Sequence, residues 1–298
     1  MVLKSKVRIS SILFRFVVIM LTVAGAFLTI GLIGYLLKKG LPYVNRAFLF
    51  TEPDILMDSY GIKPMLINTI YTVVLTLIFC IPLGIGSAIY LAEYAKQGKI
   101  VSGIRFAIEI LAGIPSIVYG LFGLIVIVPF VRDYIAPDGV GAGFGIFSTS
   151  IVLAIMILPT IISCSLDALY AVPNSYFEGA LALGATKEQA TFKILVPAAK
   201  SGIFAGIVLA IGRAIGETMA VAMIIGGSAD MPNSLFQSVR TLTTNIAAGA
   251  MELQGDAHSA LVATGVVLFV FSLLLNISFS CLKEISNKDK KKGKTNEK

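Results

Sequence analysis

The sequence predicts an all-α membrane protein with six transmembrane helices and both termini in the cytoplasm. Of the 298 residues, 56% are hydrophobic and only 14% are charged, and the mean hydropathy is +0.88. A soluble domain carries about 25% charged residues, so this composition excludes a water-soluble fold. The apolar residues form long continuous runs, whereas a membrane β-barrel shows short segments of alternating hydrophobicity. The runs therefore predict helices.

Five uncharged runs and one lightly charged stretch are each long enough to cross a membrane, which needs about 20 helical residues. The first is too long for the apolar part of a cleavable signal peptide, so it predicts a spanning anchor. The predicted spans are 16–37, 64–92, 110–131, 139–166, 201–229 and 257–282. The resulting division is an N-terminus, 1–15, an N-terminal helix, 16–37, a five-helix domain, 64–283, and a basic tail, 284–298.

The distribution of Lys and Arg among the loops predicts the orientation. With both ends inside, seventeen Lys and Arg residues lie in cytoplasmic segments and six lie in outer loops. Cytoplasmic loops of membrane proteins carry the excess of positive charge. We therefore expect a multi-pass protein of the inner or plasma membrane with a cytoplasmic N-terminus and a cytoplasmic C-terminus.

Proline interrupts the third span near its start. Gly113-Ile114-Pro115-Ser116 lies inside an apolar region that begins near Ile104. Because proline lacks an amide donor and restricts the residue before it, a helix breaks or kinks there. The sequence therefore predicts a short helix over 103–113 on the cytoplasmic side, followed by the span itself.

The chain lacks the sequence patterns of a catalytic, nucleotide or metal site. Its three cysteines lie in separate apolar runs, and His258 is the only histidine. Gly293-Lys294-Thr295 imitates the end of a P-loop but has Lys288 where the first glycine belongs. We therefore expect no catalytic residue, no metal site and no cofactor in this chain.

The longest predicted cytoplasmic loop, 168–200, contains the signals of two short helices. Asn174 or Ser175 can cap the first, and Glu178 lies at the capping-box spacing from Ser175. Gly184 suits the left-handed position that ends a helix. The first helix is therefore expected over 176–183.

Thr186 can cap the second helix, with Gln189 three residues later, and Pro197 marks either its end or the start of the fifth span. The loop carries more large apolar residues than a solvated loop needs. They either pack beneath the membrane helices or dock into a partner protein. These residues are Leu181, Leu183, Phe192, Ile194 and Leu195.

This loop resembles the EAA signature of ABC importer permeases: Glu-Ala-Ala, three residues, Gly, nine residues, then Ile-x-Leu-Pro. The chain departs from the signature at Gly179, which replaces alanine, and at Val196, which replaces leucine. The resemblance implies a type I ABC importer permease fold and a coupling helix that sits in a groove of an ATPase subunit. It assigns ATPase coupling to Glu178, Gly179, Ala180, Gly184, Ala185, Ile194 and Pro197.

A finer resemblance covers spans two to six. The segments 82–94, 111–120 and 212–218 are similar to the phosphate-importer permeases, which occur as PstC-type and PstA-type subunits. Met219-Ala220-Val221 and His258-Ser259-Ala260-Leu261 are more similar to the PstC type. The PstA-type sister subunit stays open as an alternative.

Arg213 and Glu217 are the charged residues of the fifth span, and at i and i+4 they would share one helix face. Arg213 lies about 18 Å along a helix that starts at Ser201, where a charge costs at least about 2.5–3.5 kcal/mol. The pair is either a self-neutralising structural contact or a site whose guanidinium binds an oxyanion through two parallel hydrogen bonds. The resemblance supports the second interpretation, because it places Arg213, Glu217 and Thr218 in the substrate pathway.

Two glycine pairs on the same span, Gly202 with Gly206 and Gly212 with Gly216, have the small-x-x-x-small spacing that lets helices approach closely. Both pairs therefore predict packing of the fifth span inside a bundle or against a partner.

Together these features imply a permease subunit of an ATP-driven phosphate importer, with no enzymatic activity of its own. The expected partners are a second, PstA-type permease, a dimer of ATPase subunits that binds the ATP, an extracytoplasmic phosphate-binding protein, phosphate and membrane lipid. No nucleic-acid partner is expected. Movement of the ATPases would pull the 175–195 loop and alternate the access of the pathway.

Three alternatives remain. The substrate could be another oxyanion, sulfate or molybdate. An ion-coupled secondary transporter would usually show an internal repeat of spans, which the sequence lacks. A membrane-embedded enzyme acting on lipid phosphates would need a cluster of His, Ser or paired carboxylates at one face, and a single histidine argues against it.

Overall fold

A computed structural model describes residues 9–54, 59–96, 98–137, 141–252 and 255–295. Within these residues, six helical stretches are long and apolar enough to cross a membrane, which confirms the predicted fold class. They are Leu13–Tyr43, Lys63–Tyr94, Ser116–Tyr134, Ile146–Tyr170, Lys187–Gly216 and Ala257–Phe279. The cytoplasmic location of the termini stays a prediction, and residues 1–8 and 296–298 lie outside the described part.

The connection between the first and second spans contains short elements. Helix α1, Ile9–Gly40, leads through a 3-10 turn, Leu41–Tyr43, into α2, Arg46–Phe50. The Asn45 side chain caps α2 by accepting the Phe48 N–H at 2.8 Å. Strands β1, Pro53–Asp54, and β2, Ser59–Tyr60, then form a two-residue antiparallel ladder. This ladder is a small departure from the all-helical prediction.

The fourth span forms the centre of the bundle. Helix α7, Ile146–Tyr170, packs against α3, Lys63–Ile89, and against α10, Val196–Gly216. In the most apolar part of α7, 67% of the residues are buried, against 0% in the first span. Helix α3 continues as a π-helical turn, Tyr90–Tyr94. The first span packs against α13, Asp256–Thr295. The apolar surface of α1 therefore lies outside the core of this chain.

The third span is divided where the sequence predicts. Helix α4, Lys99–Gly113, ends before Pro115, and α5, Ser116–Phe122, begins after it. Ile114 is extended, with ψ 130°, because the following proline ring disfavours a helical residue before it. The span continues through a π-helical turn, Gly123–Ile127, into α6, Val128–Tyr134. Residues 110–113 therefore belong to the short helix, as its predicted range of 103–113 requires, although α4 begins earlier, at Lys99.

The fifth span also differs from its predicted range of 201–229. Its continuous helical stretch begins at Lys187 and ends at Gly216. Beyond the break, α11 covers Met219–Ile224, and α12 covers Leu242–Glu252. The segment between them closes over the start of α7, where the Phe147 N–H donates to the Leu235 carbonyl at 2.9 Å.

The two glycine pairs of α10 have different surroundings. A Cβ added to Gly202 would lie 2.5 Å from Cβ of Ala168, and one added to Gly206 would lie 2.6 Å from Cβ of Cys164. Gly212 and Gly216 have no such neighbour within 4 Å in the described structure. The first pair therefore packs α10 against α7 as predicted, whereas the second pair lies open within this chain.

Replacing Gly206 with leucine is expected to destabilise the bundle by about 1–3 kcal/mol, because the side chain would force α10 away from α7. Thermal denaturation of the purified protein in detergent would measure the loss. Gly31→Leu is the matched control, since a Cβ there meets nothing within 4 Å. Equal melting temperatures for the two variants would contradict the packing described here.

Candidate functional site

Arg213 lies in the last turn of α10 and lines an open cavity of about 600 Å³. Its Nη1 donates to Oγ1 of Thr160, on α7, at 3.4 Å. Thr160 is about 21 Å from the start of α7 and about 15 Å from its end at the helical rise per residue. The contact therefore lies in the middle of the spanning region. The cavity is lined by Thr160, Ala205, Val208, Leu209, Gly212, Arg213 and Asn276.

The structure contradicts the prediction that Arg213 and Glu217 share one helix face. Helix α10 ends at Gly216, and Glu217 is extended, with φ −70° and ψ 127°. The four-residue spacing therefore no longer places the two side chains on one helix face. Instead, the Glu217 carboxylate accepts the Ala220 N–H at 3.2 Å, at the start of α11. Arg132 and Asp133, at the far end of the third span, do form an ion pair.

Side chains satisfy the backbone groups that the break in the fifth span releases. Inside a bilayer, a broken helix is tolerated only when the freed N–H and C=O groups find new partners. Glu217 accepts one N–H, as described above. The Thr218 hydroxyl donates to the Gly216 carbonyl at 3.3 Å, and the Thr243 hydroxyl, on α12, donates to the Glu217 carbonyl at 3.0 Å. Glu217 and Thr218 therefore stabilise the break just beyond Arg213.

Arg213 is half-buried, and the described residues bring no carboxylate within ion-pair distance of it. A cation at this depth needs water, a polar partner or an anion to offset the cost of leaving bulk solvent. Its hydrogen bond to the neutral Thr160 hydroxyl leaves most of its five N–H donors for other partners. The remaining donors of Arg213 lie on the wall of the cavity, where they can donate to an anion.

Thr160 and Asn276 are two cavity residues that sequence reasoning missed. Both are uncharged, so neither interrupts an apolar run, and they come from the fourth and sixth spans. Each is a polar side chain among mainly aliphatic neighbours, which is the signal that could have marked it. Asn276 is exposed, and its amide can both donate and accept hydrogen bonds.

The predicted two-helix loop is present between α7 and α10, with α8 over Asn174–Ala182 and α9 over Lys187–Ala190. Thr186 and Gln189 form a complete capping box, as predicted. The expected capping box of Ser175 and Glu178 is wrong. Pro173 is the N-cap, with ψ 133°, and Asn174 is already helical, so Ser175 lies too far inside α8 to cap it.

The residues of the EAA-like segment follow one another along this loop. The turn after α8 is left-handed at Gly184, with φ +86°, which confirms the predicted glycine role. A π-helical turn, Thr191–Leu195, leads directly into α10, which begins at Val196. Pro197 is the second residue of α10, so it marks the start of this helix, where proline is tolerated. Glu178, Gly179 and Ala180 lie on α8, Gly184 and Ala185 in the turn, and Ile194 in the π-helical turn.

The structure separates the five large apolar residues of the loop into two groups. Leu195 is 4% exposed and packs with Ile203 and Leu166 beneath the membrane helices. Leu183 is 91% exposed, and three others are also exposed: Leu181, Phe192 and Ile194. The loop thus has one residue anchored in the core of the chain and an apolar surface that this chain does not cover.

Glu217→Gln is expected to preserve stability, because the amide oxygen can still accept the Ala220 N–H. Glu217→Ala removes the acceptor and should cost about 1 kcal/mol, as the loss of a helix cap does. The melting temperatures of the two purified variants measure this difference. If Glu217 neutralised Arg213, glutamine would destabilise the protein as much as alanine.

Comparison with known proteins places the chain in a family of transport permeases. Residues 80–292 match the family described as binding-protein-dependent transport system inner membrane component. A phosphate transport system permease protein PstC of Mesorhizobium japonicum is 37% identical over 255 residues, covering 80% of this chain and 78% of that relative. The PstC of Xylella fastidiosa is 35% identical over 295 residues, covering 91% of each chain. A probable ABC transporter permease protein YqgH of Bacillus subtilis is 38% identical over 247 residues, covering 82% and 78%.

Solved structures share the fold at low identity. A bacterial ABC transporter involved in the import of alginate matches with a TM-score of 0.63 and 16% identity, over 92% of this chain and 95% of that chain. The MetNI methionine ABC transporter matches with a TM-score of 0.57 and 18% identity, over 80% and 99%. The fold is therefore that of ABC importer permeases. This multi-pass inner-membrane protein belongs to the family of binding-protein-dependent transport system inner membrane components.

Proposed function

We propose that the chain is a PstC-type permease subunit of an ATP-driven importer of inorganic phosphate. The observation that carries the proposal is the half-buried Arg213 on the wall of a mid-membrane cavity, without a carboxylate beside it among the described residues. The similarity to PstC proteins over most of the chain supports phosphate as the substrate. The chain itself catalyses no reaction and holds no cofactor in this proposal.

Phosphate fits the chemistry of the cavity. A guanidinium group can bind two phosphate oxygens through parallel N–H donors, which favours a tetrahedral oxyanion over a spherical anion. Thr160 and Asn276 add neutral donors that can replace the hydration shell of phosphate without trapping it. Because the cavity is open on one side, a second permease of the PstA type would complete the pathway. Glu217 and Thr218 shape that pathway by stabilising the helix break beyond Arg213.

The exposed surface of the 174–195 loop provides the proposed contact with the ATPase dimer. Burial of a leucine side chain is worth about 1.5–3 kcal/mol, so Leu183 can contribute substantially to docking. Glu178, Gly179, Ala180, Gly184, Ala185, Ile194 and Pro197 shape this contact in the proposal. The ATPase subunits bind ATP, an extracytoplasmic phosphate-binding protein delivers phosphate to the outer face, and lipid covers the outer surface of the spans.

Arg213→Ala is expected to reduce phosphate uptake at least tenfold, because a charged hydrogen bond is worth about 1.5–3 kcal/mol. Arg213→Lys should retain part of the activity, since it keeps the charge but loses the planar fork. Uptake of radiolabelled phosphate is measured in cells that lack this permease but contain its partner subunits. Arg132→Ala is the control, because Arg132 is paired with the exposed Asp133.

Each outcome bears on a different part of the proposal. Wild-type uptake that sulfate and molybdate do not inhibit supports phosphate selectivity. Undiminished uptake by Arg213→Ala, at equal membrane abundance, would remove Arg213 from the site. Absence of uptake by the wild type with all its partners would contradict the phosphate assignment.

Leu183→Ser is expected to weaken association with the ATPase subunits while leaving the membrane abundance of the permease unchanged. The 91% exposure of Leu183 means that the substitution removes no contact within the chain's own core. Copurification of the ATPase with a tagged permease measures the effect. Tyr134→Ser, at the opposite end of the bundle and 79% exposed, is the matched control. Equal copurification by both variants would exclude Leu183 from the docking surface.

A further inference from the structure

Lys187 connects the loop to a helix that is not its neighbour in the chain. Lys187 is the first residue of α9, where the loop turns back toward the membrane. Its ammonium group donates to the backbone carbonyl of Glu93 and lies 5.1 Å from the centre of the Tyr94 ring. Glu93 and Tyr94 end the second span. A carbonyl at a helix C-terminus carries partial negative charge, so a lysine is well suited to this position.

Arg105 makes a second contact of the same kind at the other end of the loop. Tyr170 is the last residue of α7, immediately before the loop begins. The Arg105 guanidinium lies 5.1 Å from the centre of the Tyr170 ring and donates to its hydroxyl group. Arg105 belongs to α4, which continues through Ile114 and Pro115 directly into the third span. Lys187, within the loop, and Tyr170, at its start, are thus each joined to another element by a contact between a cation and an aromatic ring.

These contacts change which spans a movement of the loop can reach. The covalent chain connects the loop only to α7 and α10. Lys187 adds the end of the second span, and Arg105 adds α4 and, through it, the third span. An apolar cluster that includes Leu91, Val101 and Leu195 also joins these elements. Apolar contact is non-directional, whereas a hydrogen bond combined with a cation–π contact holds a defined position.

We propose that Lys187 is a positioning residue that transmits displacement of the coupling loop to the second span. The inference rests on the proposed transport function. Lys187 acts within the permease, on Tyr94 and Glu93, and not by direct binding to the ATPase. Loss of the contact between Lys187 and Tyr94 should leave the rate of ATP hydrolysis largely intact. Less phosphate should be transported for each ATP hydrolysed.

The test uses the complete importer, reconstituted in proteoliposomes with its second permease, ATPase subunits and binding protein. The readout is the amount of phosphate transported per ATP hydrolysed, which a general loss of folded protein does not change. Lys187→Met removes the charge and the donor but keeps an unbranched side chain, and Tyr94→Leu removes the ring from the other partner. Lys193→Met is the matched control, because Lys193 is an exposed lysine in the next turn.

We expect Lys187→Met and Tyr94→Leu each to lower the transport ratio about three- to fivefold, the change that a cation–π contact of ordinary strength can produce. The double variant should be no worse than either single one, because both remove the same interaction. Lys187→Arg should restore most of the ratio, since arginine keeps the charge and its donors. Lys193→Met should match the wild type.

Several results would overturn the inference. An unchanged ratio in Lys187→Met or in Tyr94→Leu would exclude transmission through this contact. Reduced copurification of the ATPase with Lys187→Met, but not with Tyr94→Leu, would assign Lys187 to docking instead. A wild-type complex that hydrolyses ATP without accumulating phosphate would contradict the proposed function itself, which is a separate failure.

Discussion

Inside a bilayer no water is available to backbone N–H and C=O groups, and the architecture of this protein follows from that constraint. Continuous helices satisfy these groups within each span. Where the fifth span breaks after Gly216, the groups that are released must find side-chain partners. Glu217, Thr218 and Thr243 supply those partners. The break is therefore built from polar residues, and it lies three residues from the cation that lines the cavity.

The same shortage of water determines which groups the Arg213 guanidinium can pair with. A buried guanidinium beside a carboxylate would be neutralised, and an anion would then have to displace that partner. Glu217 is engaged at the start of α11, so Arg213 keeps its charge on the cavity wall with the Thr160 hydroxyl beside it. The Glu217 carboxylate thus stabilises the backbone of the break instead of pairing with Arg213, which the proposed anion site requires.

At the inner ends of the spans, packing and exposure divide the loop into two parts. Leu195 joins the apolar cluster beneath the membrane helices and fixes the base of the loop. Leu183 and its exposed neighbours form the apolar surface that we propose contacts the ATPase subunits. Lys187 contacts the Tyr94 ring at the end of the second span, and Arg105 of α4 contacts the Tyr170 ring at the start of the loop. The proposed transmission uses the Lys187 contact to carry movement of the loop to a span that the chain does not join to it directly.

The sequence by itself determined the number of spans, the division of the third span at Pro115, the two-helix loop and the identity of Arg213 as a charge within the membrane. These features depend on hydropathy or on the local restrictions of proline, glycine and capping residues, which a linear pattern contains. Only the tertiary structure decided that Glu217 turns away from Arg213, that Thr160 and Asn276 share its cavity, and that Gly206 packs while Gly212 stays open. The Glu217 outcome depends on the break after Gly216, and the others depend on contacts of α10 with α7 and α13, whose residues are far apart in the chain. A linear pattern gives the depth of a residue in the membrane, but packing decides which neighbours it meets there.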